Sequence, residues 1–198
     1  ASVMNPEFGP APVDTTPVSA RGTPVARRVF FAVAGALIVA VAAQFVVPVP
    51  MSPVPMTLQP LAVLVVGGLL GAAEGVSALV LYLVLGALGL PVFAAGGAGA
   101  LRFVGPTGGY LLAFPVAAGV TGALVAPSPR SIARVLLACA FGMLLIHLGG
   151  VAQLALLGRD SALALRVGFL PFLTGDLLKV GLAAAVILAV GPKFRSWR

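Results

Sequence analysis

"FLTGDLLKVGLAAAV", residues 172–186, sets an aspartate and a lysine inside a run that is otherwise almost wholly apolar. Asp176 and Lys179 stand at i and i+3, with Leu177, Leu178, Val180 and Leu182 around them. On a helix these positions share a face, so the two charges can pair. A charged side chain at the centre of a bilayer costs from about 2.5 to more than 10 kcal/mol, depending on how it is measured. An exposed i,i+3 pair returns only about 0.2–0.5 kcal/mol, well short of the cost of burying both charges. Two readings follow. The pair neutralises itself and fixes helix packing, or a polar ligand or ion joins it; charges inside a membrane favour the second. A helix starting near Gly168 puts Asp176 roughly 12 Å along it.

The rest of the chain supports a membrane setting. Of its 198 residues 60% are hydrophobic and only 9% charged, against about 25% charged in a soluble domain. A soluble fold of this size could not hide so much apolar surface. The expectation is an all-α integral membrane protein of six transmembrane helices. The candidate spans are 29–47, 58–73, 75–90, 110–126, 132–157 and 168–191; a bilayer needs about 20 residues, and the second and third are short. The second and third are read as two helices because Gly71, Glu74 and Gly75 interrupt the run. Residues 1–28, rich in Pro, Ser and Thr, read as a flexible tail. Its first few residues are candidates for non-native sequence, and a cleavable signal peptide is not expected. The membrane domain is 29–191, and 192–198 is a basic C-terminus.

Charge gives the orientation. With both termini cytoplasmic, the inner segments hold Arg21, Arg27, Arg28, Arg130, Arg134, Lys193, Arg195 and Arg198, and the outer loops only Arg102, Arg159 and Arg166. That asymmetry obeys the positive-inside rule. The net charge of +7 is therefore a topology signal and not a nucleic-acid patch. The outer stretches are then "PVPMSPVPMTLQP" (48–60), with five prolines, and "PVFAAGGAGALRFVGPTGGY" (91–110), with six glycines. Such apolar, Pro- and Gly-rich segments suit loops that fold back over the bundle as a lid. The plainer alternative is that they only break helices at the membrane surface.

Uncharged polar residues near the outer helix ends are Gln44, Thr57, Gln59, Tyr110 and Gln153. Interhelical hydrogen bonding is the expected role of Gln44 and Gln153. The single histidine, His147, reads as a packed, hydrogen-bonded core residue, and the single cysteine, Cys139, excludes a disulfide within the chain. The glycine-rich stretch lacks the Lys-Ser/Thr ending of a phosphate loop. No nucleophilic triad, paired carboxylate or metal-ligand spacing is present, so neither an enzyme nor a resident metal or cofactor is expected. In helix 1, Ala32, Ala36 and Ala40 recur every four residues, which lets another helix approach closely. That helix can belong to a partner or to the chain's own bundle.

Four motifs occur in order: "VPVPMSPVPMTLQPLAVLVVGGLLG", "YLVLGALGLPVFA", "GPTGGYLLAFP" and "GDLLKVGLA". Together they make residues 29–191 resemble the BioY family, the biotin-binding S components of energy-coupling-factor (ECF) transporters. The resemblance implies an S-component bundle in the bacterial cytoplasmic membrane, with a high-affinity biotin site under the loops after helices 1 and 3. It assigns Asp176 and Lys179 to that site and makes Ala32, Ala36 and Ala40 a docking stripe for a transmembrane coupling subunit, itself joined to two ATP-binding-cassette ATPases. ATP is then used by partners, since this chain has no nucleotide motif. Thr57, Gln59, Phe93, Phe103 and Tyr110 are the further candidates around the ligand, and Arg102, Thr107 and the backbone N–H groups of Gly108 and Gly109 for its carboxylate. The alternatives are self-sufficient biotin transport by an oligomer of the chain, and an assembly protein whose Asp–Lys pair is structural.

Overall fold

The computed structural model describes residues 24–126 and 131–196. Among them are seven α-helices: α1 (Pro24–Ala42), α2 (Gln59–Leu70), α3 (Ala72–Ala87), α4 (Gly108–Val125), α5 (Ile132–Gly158), α6 (Ser161–Gly168) and α7 (Leu173–Ser196). Helices α1–α5 and α7 form the bundle, and the short α6 lies against α5. By length and composition α1, α4, α5 and the segment Ser161–Pro192 can each cross a membrane. Helices α2 and α3, with 12 and 16 residues, extend only about 18 and 24 Å.

Local chemistry fixes most boundaries. Proline opens α1 and stands at the start of α2, where its missing N–H is no loss. The break between α2 and α3 falls at Gly71, whose φ of 82° suits glycine. It ends one helix and starts the next, so the two-helix reading of this run holds. Ser131 caps α5 by accepting the Arg134 N–H, and Asp160 caps α6 by accepting the Leu163 N–H.

Three sequence expectations need correction. Helix α1 starts earlier and stops earlier than 29–47; residues 24–28 of the expected tail are helical, and Val46–Val47 instead pair antiparallel with Met56–Thr57. Residues 48–55 are thus the connection of a two-stranded hairpin, whose ladder stays short because proline cannot donate to it. The last long helix begins at Leu173, not Gly168, because Pro171 confines residues 170–172 to a 3-10 turn before it. That helix also continues through Ser196, into the stretch read as a basic terminus. Residues 1–23, with most of the expected tail, and Arg21, Arg130 and Arg198 lie outside the described residues.

The core is closely packed through small residues. A Cβ on Gly67 would collide with the Ala118 backbone, and one on Gly109 with the Gly149 carbonyl. These contacts draw α2 onto α4 and α4 onto α5. The alanine stripe of α1 serves the same purpose. Ala36 is only 2% exposed and belongs to the core cluster where α1 meets α2 and α3, while Ala32 and Ala40 are half-buried. Ala36 faces the chain's own bundle, and Ala32 and Ala40 keep partial exposure beside it. The exposed face of α1 is formed by larger residues, among them Phe30, Val33, Leu37 and Val41. Ala36→Leu is therefore expected to overpack this contact at about 1–3 kcal/mol and to lower the melting temperature in detergent, while Leu37→Ala changes it little. An unchanged melting temperature for Ala36→Leu would show that α1 has room to move away.

Candidate functional site

One end of the bundle gathers the C-termini of α1, α3 and α5 with the N-termini of α2, α4 and α7. There the hairpin and the 88–107 loop enclose a cavity of about 280 Å³, near the lower limit of roughly 300–1,000 Å³ usual for small-molecule sites. Its wall is mostly apolar: Val54, Pro55 and Met56 from the hairpin, Phe93 and Leu101 from the loop, and Tyr110, Phe114, Ile146 and Phe172 from the helices.

The polar groups are few and converge. Lys179 Nζ donates to Asp176 Oδ1 at 2.9 Å, and His147 Nε2 meets Asp176 Oδ2 at 2.5 Å. All three residues line the cavity, and each is 6% exposed. An ionised carboxylate only accepts, so Nε2 carries the hydrogen. Asp176 lies in the first turn of α7 and not roughly 12 Å along its helix. This position adds the positive end of the helix dipole to the two donors that stabilise the carboxylate. A buried negative charge is thus held by three sources of positive potential, while both of its oxygens keep further lone pairs for a ligand.

His147 sits in an aromatic box, with ring centroids at 5.0 Å from Phe169 and 6.0 Å from Tyr110, both edge-on, and 6.1 Å from Phe172. Its Nδ1 is buried without a partner among the described residues. The core-histidine expectation is correct for packing but misses the residue's place in the charged cluster. The Tyr110 hydroxyl donates to the Gly168 carbonyl at 2.6 Å, so Tyr110 offers the cavity its ring and fixes the chain just before α7.

Of the residues singled out in the sequence, Thr57, Gln59, Phe93, Arg102, Thr107, Tyr110, Asp176 and Lys179 all line the cavity. Gly108 and Gly109 do not. The Gly108 N–H donates to the Gly105 carbonyl at 3.0 Å, and Gly109 lies against Gly149 and Gln153. A Cβ on Gly108 would meet the Phe103 carbonyl of the loop, and one on Gly109 the Gly149 carbonyl of α5. Phe103 is also outside the wall; it packs on Phe93 at 5.7 Å.

Gln44 and Gln153, expected to bond between helices, instead tie down the loop over the site. Gln44 Nε2 donates to the Phe93 carbonyl at 3.3 Å, and its Oε1 accepts from the Gly96 N–H at 3.0 Å. Gln153 Nε2 donates to the carbonyls of Phe103 at 2.9 Å and Gly105 at 2.6 Å. Ser52 Oγ donates to the Val167 carbonyl at 2.7 Å, fastening the hairpin to the end of α6. These bonds tie backbone carbonyls and the Gly96 amide to side chains of neighbouring elements.

Comparison with known proteins agrees with this arrangement. The model of the BioY family matches residues 13–196. A biotin transporter BioY of Thermotoga maritima is 42% identical over 140 residues, covering 71% of this chain and 82% of that protein. A probable biotin transporter BioY of Pyrococcus horikoshii is 41% identical over 142 residues, with the same coverage of 71% and 82%. The fold resembles the crystal structure of the S-component for biotin from an ECF-type ABC transporter, with a TM-score of 0.78 and 24% identity over 84% of this chain and 91% of that one. Given a family match that runs nearly the whole length of the described helices, and relatives this similar over most of their own length, the chain belongs to the BioY family.

Proposed function

We propose that this chain is a transport protein, not an enzyme, and that it captures biotin and carries it across the cytoplasmic membrane as the S component of an ECF-type transporter. The observation that carries the reading is the buried Asp176–Lys179 pair, joined by His147, inside a mostly apolar cavity roofed by two loops.

Biotin fits the chemistry of that cavity. Its ureido ring has two N–H donors and one carbonyl acceptor, its thioether ring is apolar, and its valerate ends in a carboxylate. Asp176 accepts from a ureido N–H, and Lys179 donates to the ureido carbonyl while offsetting the aspartate charge. A neutral head group then adds partners to a charged cluster without adding charge, which suits a low-dielectric site. Phe93, Tyr110 and Phe114 wall the rings. Arg102, an exposed residue at the cavity edge, takes the carboxylate with Thr107 beside it.

The orientation follows from charge. Arg27, Arg28 and Arg134 lie at the end of the bundle away from the cavity, so the positive-inside rule places that end in the cytoplasm and the cavity outside. The energy for release comes from a transmembrane coupling subunit and two ATPases. Labelled biotin uptake in cells lacking their own biotin transporter tests the partnership. Uptake is expected when this chain is expressed with a coupling subunit and ATPases, and loss of it when an ATPase is inactivated. Equal uptake by the chain alone would favour a self-sufficient transporter.

A further inference from the structure

We propose that Tyr82 and Thr57 are positioning residues: they hold the Gln59 side-chain amide in one of its two orientations, so that Gln59 meets the ligand as a hydrogen-bond donor. The inference rests on the biotin-binding reading above and specifies how one wall of that site is set.

Gln59 opens α2, lines the cavity and is 4% exposed. Its side chain belongs to a buried chain of hydrogen bonds. Gln59 Nε2 donates to the Tyr82 hydroxyl at 2.7 Å, and that hydroxyl donates to the Val92 carbonyl at 3.1 Å. At the other end the Thr57 hydroxyl donates to Gln59 Oε1 at 3.1 Å, while its oxygen accepts from the Gln59 backbone N–H at 3.2 Å.

The direction of this chain is fixed by hydrogen counting. A tyrosine hydroxyl has one hydrogen. Tyr82 gives it to Val92, so toward Gln59 only its oxygen is available, and Gln59 must present nitrogen there. Thr57 also has one hydroxyl hydrogen. Its oxygen already accepts from the backbone of Gln59, so that hydrogen goes to Oε1. Turning the amide over would put Oε1 against Tyr82 and draw its hydrogen away from Val92, leaving a loop carbonyl without a partner. It would also point Nε2 at Thr57 and leave the threonine hydrogen with no acceptor. An amide's two orientations are settled by such networks, and here a single arrangement satisfies every member.

In that arrangement Oε1 is engaged and one Nε2 hydrogen is given to Tyr82. The second Nε2 hydrogen is uncommitted among the described residues. Gln59 therefore offers the cavity a donor, which matches an acceptor such as the ureido carbonyl that Lys179 also serves. Tyr82 is 0% exposed and is not part of the cavity wall, so its hydroxyl acts on the site from behind the wall, through the Gln59 amide and through the Val92 carbonyl. The same hydroxyl holds Val92 at the start of the loop that roofs the site.

A double-mutant cycle read by biotin titration tests this. Tyr82→Phe, which keeps the ring, is expected to weaken biotin about tenfold. In a Gln59→Leu background the same change is expected to cost clearly less than in the parent, because the group it positions is gone and only the lost Val92 bond remains. Thr57→Val, nearly isosteric, is expected to show the same pattern, and it carries the test if Tyr82→Phe lowers the melting temperature too far for titration. An equal factor in both backgrounds, or no loss in the parent, would overturn the positioning role. Failure of the unmodified protein to bind biotin would overturn the biotin reading, a separate and distinguishable result.

Discussion

Asp176→Asn is expected to abolish or weaken biotin binding by at least about tenfold and, at the same time, to destabilise the fold. The binding loss follows from a charge-assisted acceptor, whose hydrogen bonds contribute about 1.5–3 kcal/mol. The stability loss follows from Lys179, which is 6% exposed and is left as a buried cation facing a neutral amide; breaking one side of a buried pair costs about 3–5 kcal/mol. The double variant Asp176→Asn/Lys179→Met separates the two effects. Asn still accepts from His147, and no charge is stranded, so the melting temperature is expected to return to the parent's or above. Biotin binding is expected to stay lost. Were the pair only structural, restoring the fold would restore whatever the protein binds.

Gly86→Ala is expected to open the roof of the site. A Cβ at Gly86 would overlap the Phe93 ring, and Phe93 is a cavity wall packed at 5.5 Å on Tyr82. The Gly86 carbonyl also accepts the Gly99 N–H at 2.7 Å, and the Phe93 N–H is bonded to the Gly97 carbonyl at 2.9 Å. One added methyl therefore pushes on the loop's main anchor. Overpacking of about 1–3 kcal/mol is expected to appear as a loss of biotin affinity of about tenfold or more, with faster hydrogen exchange at residues 93–99 and an intact helical bundle. Unchanged affinity and exchange would mean that the ring moves aside without the loop, and that Phe93 does not close the site.

The helices and the charged pair could be read from the chain, and particular residues show why. Long apolar runs leave few alternatives once water is excluded, and Gly71 marked the α2–α3 break because a positive φ there needs glycine. Asp176 and Lys179 stood out because charge among leucines must have a partner. His147 did not stand out. It lies 29 residues from Asp176 and is alone in an apolar run, so only the packing of α5 against α7 shows its role. The start of α7 was misplaced although Pro171 was in view, since proline is tolerated at a helix's first turn and disfavoured inside. Short α6 carried one legible sign, the Asp160 cap, in a segment too short for periodicity. Small residues were less legible. The alanine spacing allows a close helix at Ala36 without saying which, and there the neighbour is the chain's own; Gly109, singled out for its amide, lies against the Gly149 carbonyl of α5.

Calorimetric titration of biotin into the purified protein and into Asp176→Asn/Lys179→Met tests the central claim most directly. The account predicts one saturable site per chain in the unmodified protein and no measurable binding in the double variant at an equal or higher melting temperature. No binding by the unmodified protein, or the same affinity in both, would contradict it.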